Sequence, residues 1–440
     1  MAAVQSTGGM PVEQPVVKSV GNALGRQFGR LFGRLLHGAA GKGSTPARLR
    51  LWMSGTVVLA VLFGVLGAIG IGRRDTSLGD AAGAARQLIE VQGVQVSLVQ
   101  ADALASENYL RGGVENADIR TAYVQELQRV SAGLVAVGNQ VLPDEAARLA
   151  DVASQLGEYA GLVEQARANN RQGYPAGAAY LRAANTLVVE MVVTLRDVQA
   201  SLRHQVNDNL DRADRAGAWL HLFGWALLAL LLAGGVWLVR RFRRVLNLPI
   251  AAATVALFVV LLVAAKVQGG AMADAEAATA GPLQQADLVA QARAAAFDAR
   301  AQEFLTLINR GNGAANEAKW TQAADTANAA LSKLCGLSGT CDVYDRFQFY
   351  VSNYGTVRNT DNGGDWDGAV GNSLTTGRDV FDAFGLSSDE IAQTRIDAAS
   401  DGLAASSDGL AVMRVLVFLA GLLVAALAIA GYGQRLREYR

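Results

Sequence analysis

Apolar residues fall into two arrangements along this chain. In four stretches they continue without a charged residue: 22 positions between Arg50 and Arg73, 24 between Arg215 and Arg240, 21 between Arg244 and Lys266, and 20 between Arg414 and Arg435. A helix rising about 1.5 Å per residue needs about 20 apolar residues to cross a hydrocarbon core. The pattern therefore predicts membrane helices over 51–72, 216–239, 248–267 and 412–432. Trp52, Trp219 and Trp237 sit near span ends, as interfacial aromatics do. The first span is too long for a secretory signal, and no convincing cleavage site precedes Arg73.

Between the spans the apolar residues recur at every third or fourth position. Ile119, Tyr123, Leu127, Val130, Leu134 and Val137 form one such line, and Leu149, Val152, Leu156, Tyr159 and Val163 form another. Pro143 with Asp144 and Glu145 is a favoured helix opening. Asn169-Asn170 through Gly173 and Pro175 interrupts the pattern, and a further line (Ala184, Leu187, Met191, Leu195, Val198, Leu202) leads toward the second span. With residues 80–110 this makes four antiparallel helices, each with one apolar face to bury against the others.

Composition agrees with a membrane protein: 51% of residues are hydrophobic and 18% charged, against about 25% charged in soluble domains. Lys and Arg total 39, as do Asp and Glu, which argues against a basic nucleic-acid binder. The balance is not local. Residues 1–50, the loop Arg240-Arg241-Phe242-Arg243-Arg244 and the tail with Arg435, Arg437 and Arg440 hold 14 basic and 2 acidic residues, leaving 25 basic and 37 acidic elsewhere. Basic segments stay in the cytoplasm; Arg73 and Arg74 oppose the rule but are outnumbered. The plan is a cytosolic arm (1–50), a span (51–72), an extracytoplasmic four-helix bundle (73–215), a span (216–239) and a cytosolic Arg loop (240–247). A third span (248–267), a second extracytoplasmic helical domain (268–411), a fourth span (412–432) and a cytosolic tail (433–440) follow. The chain is expected in the plasma membrane with both termini cytoplasmic.

The halves share this plan and a short match. Asp102 to Glu107 and Asp298 to Glu303 both read D-A-x-A-x-E, at similar distances from the spans on either side. This points to an internal duplication. The fold class is an all-α membrane protein with four transmembrane helices and two extracytoplasmic helical bundles.

Candidate chemistry is sparse. Nucleophile-elbow, phosphate-loop and His-Glu-x-x-His patterns do not occur, and His37, His204 and His221 are scattered, so neither an enzyme nor a cofactor is expected. Charged residues are missing from the span interiors, which disfavours ion-coupled transport. Cys335 and Cys341 fall outside by this topology, where a disulfide is favoured over two free thiols. Asp361 and Asp365 fit two positions of a calcium loop, but Gly363, Trp366 and Asn372 spoil the rest, so a turn-rich surface loop is the preferred reading. Trp366 is a candidate partner contact. Asp102, Glu107, Asp298 and Glu303 are candidate sensing residues, although a solvated helix face is the commoner explanation. Arg26, Arg30 and Arg34 recur every fourth residue opposite Phe28, Phe32 and Leu36, giving a basic amphipathic helix suited to anionic lipid or to a cytosolic partner. Arg240, Arg241, Arg243 and Arg244 are the other candidates for a cytosolic lipid or effector contact.

A bundle entered from one span and left through another resembles the four-helix sensor domains of chemotaxis receptors and histidine kinases. Glu107-Asn108-Tyr109-Leu110-Arg111-Gly112 is similar to a stretch common there. The whole architecture resembles an actinobacterial family of four-span membrane proteins. That family is associated with an amino-acid-binding lipoprotein and the cytosolic serine/threonine kinase G in a glutamate/aspartate-responsive pathway. The resemblance implies a signalling relay whose partners are the bilayer, such a lipoprotein and a cytosolic kinase or other effector. A non-catalytic envelope scaffold is the alternative and a transporter the third reading; a homo-oligomer is compatible with all three.

Overall fold

The structure, a computed structural model, describes residues 45–112, 116–242, 247–339 and 341–437. Arg26, Arg30 and Arg34 of the arm, and Arg243 and Arg244 of the Arg loop, lie outside the described residues. Within them the chain forms α1 (Thr45–Arg111), α2 (Ala117–Gly138), α3 (Pro143–Arg171), α4 (Ala176–Phe242) and α5 (Leu248–Ala278). A π-helical turn (Thr279–Leu283) leads to α6 (Gln284–Ile308), α7 (Ala314–Ser338), α8 (Asp342–Asn362), α9 (Trp366–Leu374), α10 (Thr376–Ala405) and α11 (Leu410–Arg437). Four helical stretches are long and apolar enough to cross a membrane, and no strand occurs among the described residues. The fold is that of an all-α membrane protein.

Local sequence accounts for most helix limits. Asn116 caps α2 by accepting from the backbone N–H groups of Asp118 (2.9 Å) and Ile119 (3.2 Å). Pro143 takes the first turn of α3, where its missing N–H costs nothing, with Asp144 and Glu145 at the positive end of the helix. Pro282 falls inside the π turn between α5 and α6, the kind of local unwinding that accommodates a residue without a donor. Gly339, at φ +69°, ends α7 and turns the chain toward α8.

By its contacts the chain divides into two compact units, one of residues 66–222 with 261–417, the other of the described residues in 1–65, 223–260 and 418–440. In the first unit α2, α3 and α4 bury the lines predicted for them, with Val130, Val137, Val152, Tyr159, Leu195, Val198 and Leu202 fully covered. The second half differs in its core. Phe297, Phe347, Tyr350, Phe381 and Phe384 pack ring to ring, with centroids 4.9–5.8 Å apart, a geometry that adds to simple burial. Cys335 and Cys341 are joined by a disulfide between the end of α7 and the start of α8.

The smaller unit is held by close helix contacts. A Cβ on Gly421 of α11 would lie 2.7 Å from both the Ala60 carbonyl oxygen and the Gly64 Cα of α1, so the two backbones touch where neither carries a side chain. Trp52 stacks on Trp237 at 6.3 Å, and the Asn247 amide donates to the Gly431 carbonyl at 2.9 Å.

Candidate functional site: two buried carboxylate motifs

The two D-A-x-A-x-E stretches lie on α1 and α6, in each half on the helical stretch that continues from its first apolar span. Both helices are covered on nearly every side through these stretches: residues 101–107 of α1 and 299–307 of α6 contain a single half-buried residue, Leu104. Groups of both halves reach each stretch: Asn185 and Arg378 approach that of α1, and Tyr350 and Asn185 that of α6. Alanines at 101, 103, 105, 299 and 301 leave room for that. The expectation of a solvated helix face is therefore overturned. Asp102, Glu107 and Glu303 are 2%, 7% and 0% exposed, and Asp298 is half-buried.

Asp102 accepts a hydrogen bond at Oδ2 from Asn185 of α4 (2.7 Å). Gln302 of α6 donates from its Nε2 to Asp298 (3.1 Å) and, longer, to the Asn185 Oδ1 (3.4 Å). Asn316 of α7 donates to Gln302, and Asn309 to Asn316. Arg182 of α4 donates to Asn309 at 2.7 Å. Side chains of both halves thus form one polar chain running from Asp102 to Asp298 and on to Arg182. Burial pushes the Asp102 carboxyl up to about 7 and outweighs the Asn185 hydrogen bond that favours the anion. The Tyr159 hydroxyl borders the same carboxyl without a well-formed hydrogen bond to any group. Burial also raises Asp298, against the opposing pull of Gln302, Lys319 and Arg196.

The glutamates of the motif make a second cluster. Glu303 accepts from Arg300 (2.7 Å), the Tyr350 hydroxyl (2.9 Å) and the Ser373 hydroxyl (2.5 Å). Arg300 also donates to the Ser373 carbonyl at 2.8 Å and lies 4.4 Å over the Phe304 ring. Burial opposes the Arg300 charge, but Glu303 beside it, with Tyr350 and Glu107 near, raises its pKa. Every charge here is matched, which is what a buried ion pair requires. Glu107 pairs with Arg111 at 2.7 Å, and Arg378 of the second half stands 3.8 Å away. Arg111 in turn donates to the Leu374 carbonyl at 3.4 Å.

Other candidates are placed differently. The half-buried Trp366 donates its indole N–H to the Leu307 carbonyl at 2.9 Å, and Arg310 lies 3.5 Å over its ring, so it fastens α9 to the end of α6. Asp361 pairs with Arg358, and Asp365 caps α9 by accepting from the Gly368 N–H at 2.9 Å, so both carboxylates are used locally. Among the described residues no three His, Cys, Asp or Glu side chains gather as metal ligands would. Arg240 and Arg241 occupy the last turn of α4. Arg74, anomalous by loop charge, is buried, donates to Gln268 at 2.9 Å and has Asp214 at 3.9 Å. Asn185, Gln302, Arg300 and Tyr350 were not among the sequence candidates. Asn185 alone carried a signal: it stands four residues after Leu181 and three before Val188, an amide in an apolar line.

The geometry defines a class: a helical membrane protein whose two intervening segments are locked together through buried polar groups. Residues 77–213, the first bundle, match the family described as Actinobacterial sensor domain. In this stretch the protein is similar to actinobacterial sensor proteins, which suggests a signalling role. No curated protein and no solved structure matches the chain.

Proposed function

We propose that this protein is a non-enzymatic transmembrane signalling relay that passes an extracytoplasmic signal to a separate cytosolic effector. The observation that carries the reading is the length of α1 and α4, each an unbroken helix of 67 residues containing both an apolar span and a sensor-type bundle helix. A displacement of about 1–2 Å in the bundle, an established amplitude for helix switching, would then move the span as well. The family resemblance supports an amino-acid-binding lipoprotein as the source of the signal and a serine/threonine kinase as its receiver. Loop charge supports bundles outside and termini inside.

The test needs no ligand. Arg240→Cys gives the full-length protein one reactive thiol, since its own cysteines are paired. Maleimide labelling of residue 240 in membranes should change in rate when Asp102→Asn or Arg378→Gln perturbs the bundle. Equal rates in all three backgrounds would defeat the relay and leave a scaffold.

A further inference from the structure

A cleft of about 500 Å³ opens between the halves, walled by α1, α4, α6 and α7, within the range of small-molecule sites. Apolar side chains such as Val99, Val192 and Ala294 form part of its lining, and its polar groups converge. The Gln199 amide donates to Gln95 Oε1 at 2.7 Å, so Gln95 keeps its N–H groups and Gln199 its carbonyl oxygen for a guest. Gln302, buried within the polar chain and with its amide already bonded there, borders the same space.

The charges are unequal. Arg203 is spent on Asp287. Arg196 of α4 and Lys319 of α7 remain, both lining the cleft and both close enough to favour the anion of Asp298, the one carboxylate in its lining. Two cations against one anion leave a single positive charge in a cleft lined with amides.

We propose that this cleft binds a small organic carboxylate of net charge −1 bearing further hydrogen-bonding groups. Its carboxylate lies between Arg196 and Lys319, and its polar substituents pair with Gln95 and Gln199. Because the walls come from both halves and Gln302 belongs to the Asp102–Asp298 chain, occupancy would bias how the halves meet. The inference rests on the relay reading for its consequence, but not for binding itself.

The test uses the full-length protein in nanodiscs of zwitterionic lipid at pH 8, titrated with lactate, gluconate and N-acetylglutamine, with choline and glucose as cationic and neutral counterparts. At least one of the three anions should raise the melting temperature saturably, while choline and glucose do not. Arg196→Gln/Lys319→Gln should weaken that anion roughly 10- to 100-fold, the scale of lost charge-assisted hydrogen bonds. Asp298→Asn should tighten it, which a merely structural role would not do. The proposal is overturned if none of the three anions acts, if choline acts equally, or if the double variant keeps its affinity. Binding without any change in labelling at residue 240 would sink the relay and leave the site. Altered labelling in bundle variants without anion binding would sink the site and leave the relay.

Discussion

Asp102 offers the sharpest measurement. Its carboxyl titrates near 7 in the fold, against 3.8 for the unperturbed group. Three units at about 1.36 kcal/mol each make the ionised side chain cost on the order of 4 kcal/mol of stability. The folded chain holds this proton more tightly than the unfolded chain does. Stability from this group is therefore complete below about pH 4 and is lost as the pH rises toward and through 7. Asp102→Asn keeps the shape and an acceptor oxygen for the Asn185 amide at 2.7 Å, but removes the charge. The variant should be more stable than the parent at pH 8, by up to about 4 kcal/mol, with the gap narrowing to about 2 kcal/mol at pH 5 and closing only below about pH 4. Some slope should survive, because burial raises Asp298 in the same direction. Thermal and chemical unfolding of the purified full-length protein between pH 5 and 8 reads this directly. A variant less stable than the parent at pH 8, or one with an equally steep pH dependence, would refute the assignment of a proton to Asp102.

Three further outcomes follow from the packing and the charge pattern. Glu303→Ala strands the fully buried Arg300 and should cost about 3–5 kcal/mol in unfolding experiments, with Glu303→Gln costing less because it retains an acceptor. Gly421→Leu forces a side chain against Ala60 and Gly64 and should lower stability by about 1–3 kcal/mol, whereas Gly55→Leu, with nothing within 4 Å of its Cβ, should be tolerated. Finally, an impermeant thiol reagent applied to intact cells after reduction should label Cys335 but not Arg50→Cys or Arg240→Cys. Labelling of residue 335 only after lysis would reverse the topology.

The sequence by itself determined the parts governed by local rules. Charge-free runs of 20 or more residues can be satisfied only by lipid or a deep core, so four spans were legible. The three-and-four spacing from Ile119 to Val137 and from Leu149 to Val163 matched the faces that α2 and α3 bury, because an isolated apolar stripe has one way to be covered. What only the tertiary structure decided was the second contact of α1 and α6. D-A-x-A-x-E carries too few large apolar residues to read as a core helix, and its carboxylates suit water equally well on spacing alone. Burial became possible because alanines let another helix close over the motif. It became tolerable because Asn185, Gln302, Arg300, Tyr350 and Ser373 supply hydrogen bonds from as far as 83 residues away in sequence. Gln302 and Arg300 stand four and three residues from the carboxylates they serve on the same helix, but Asn185, Tyr350 and Ser373 come from other helices, at spacings no periodicity announces. Those three are fixed by how the helices of each half pack, and the charges they neutralise belong to the fold rather than to any one helix.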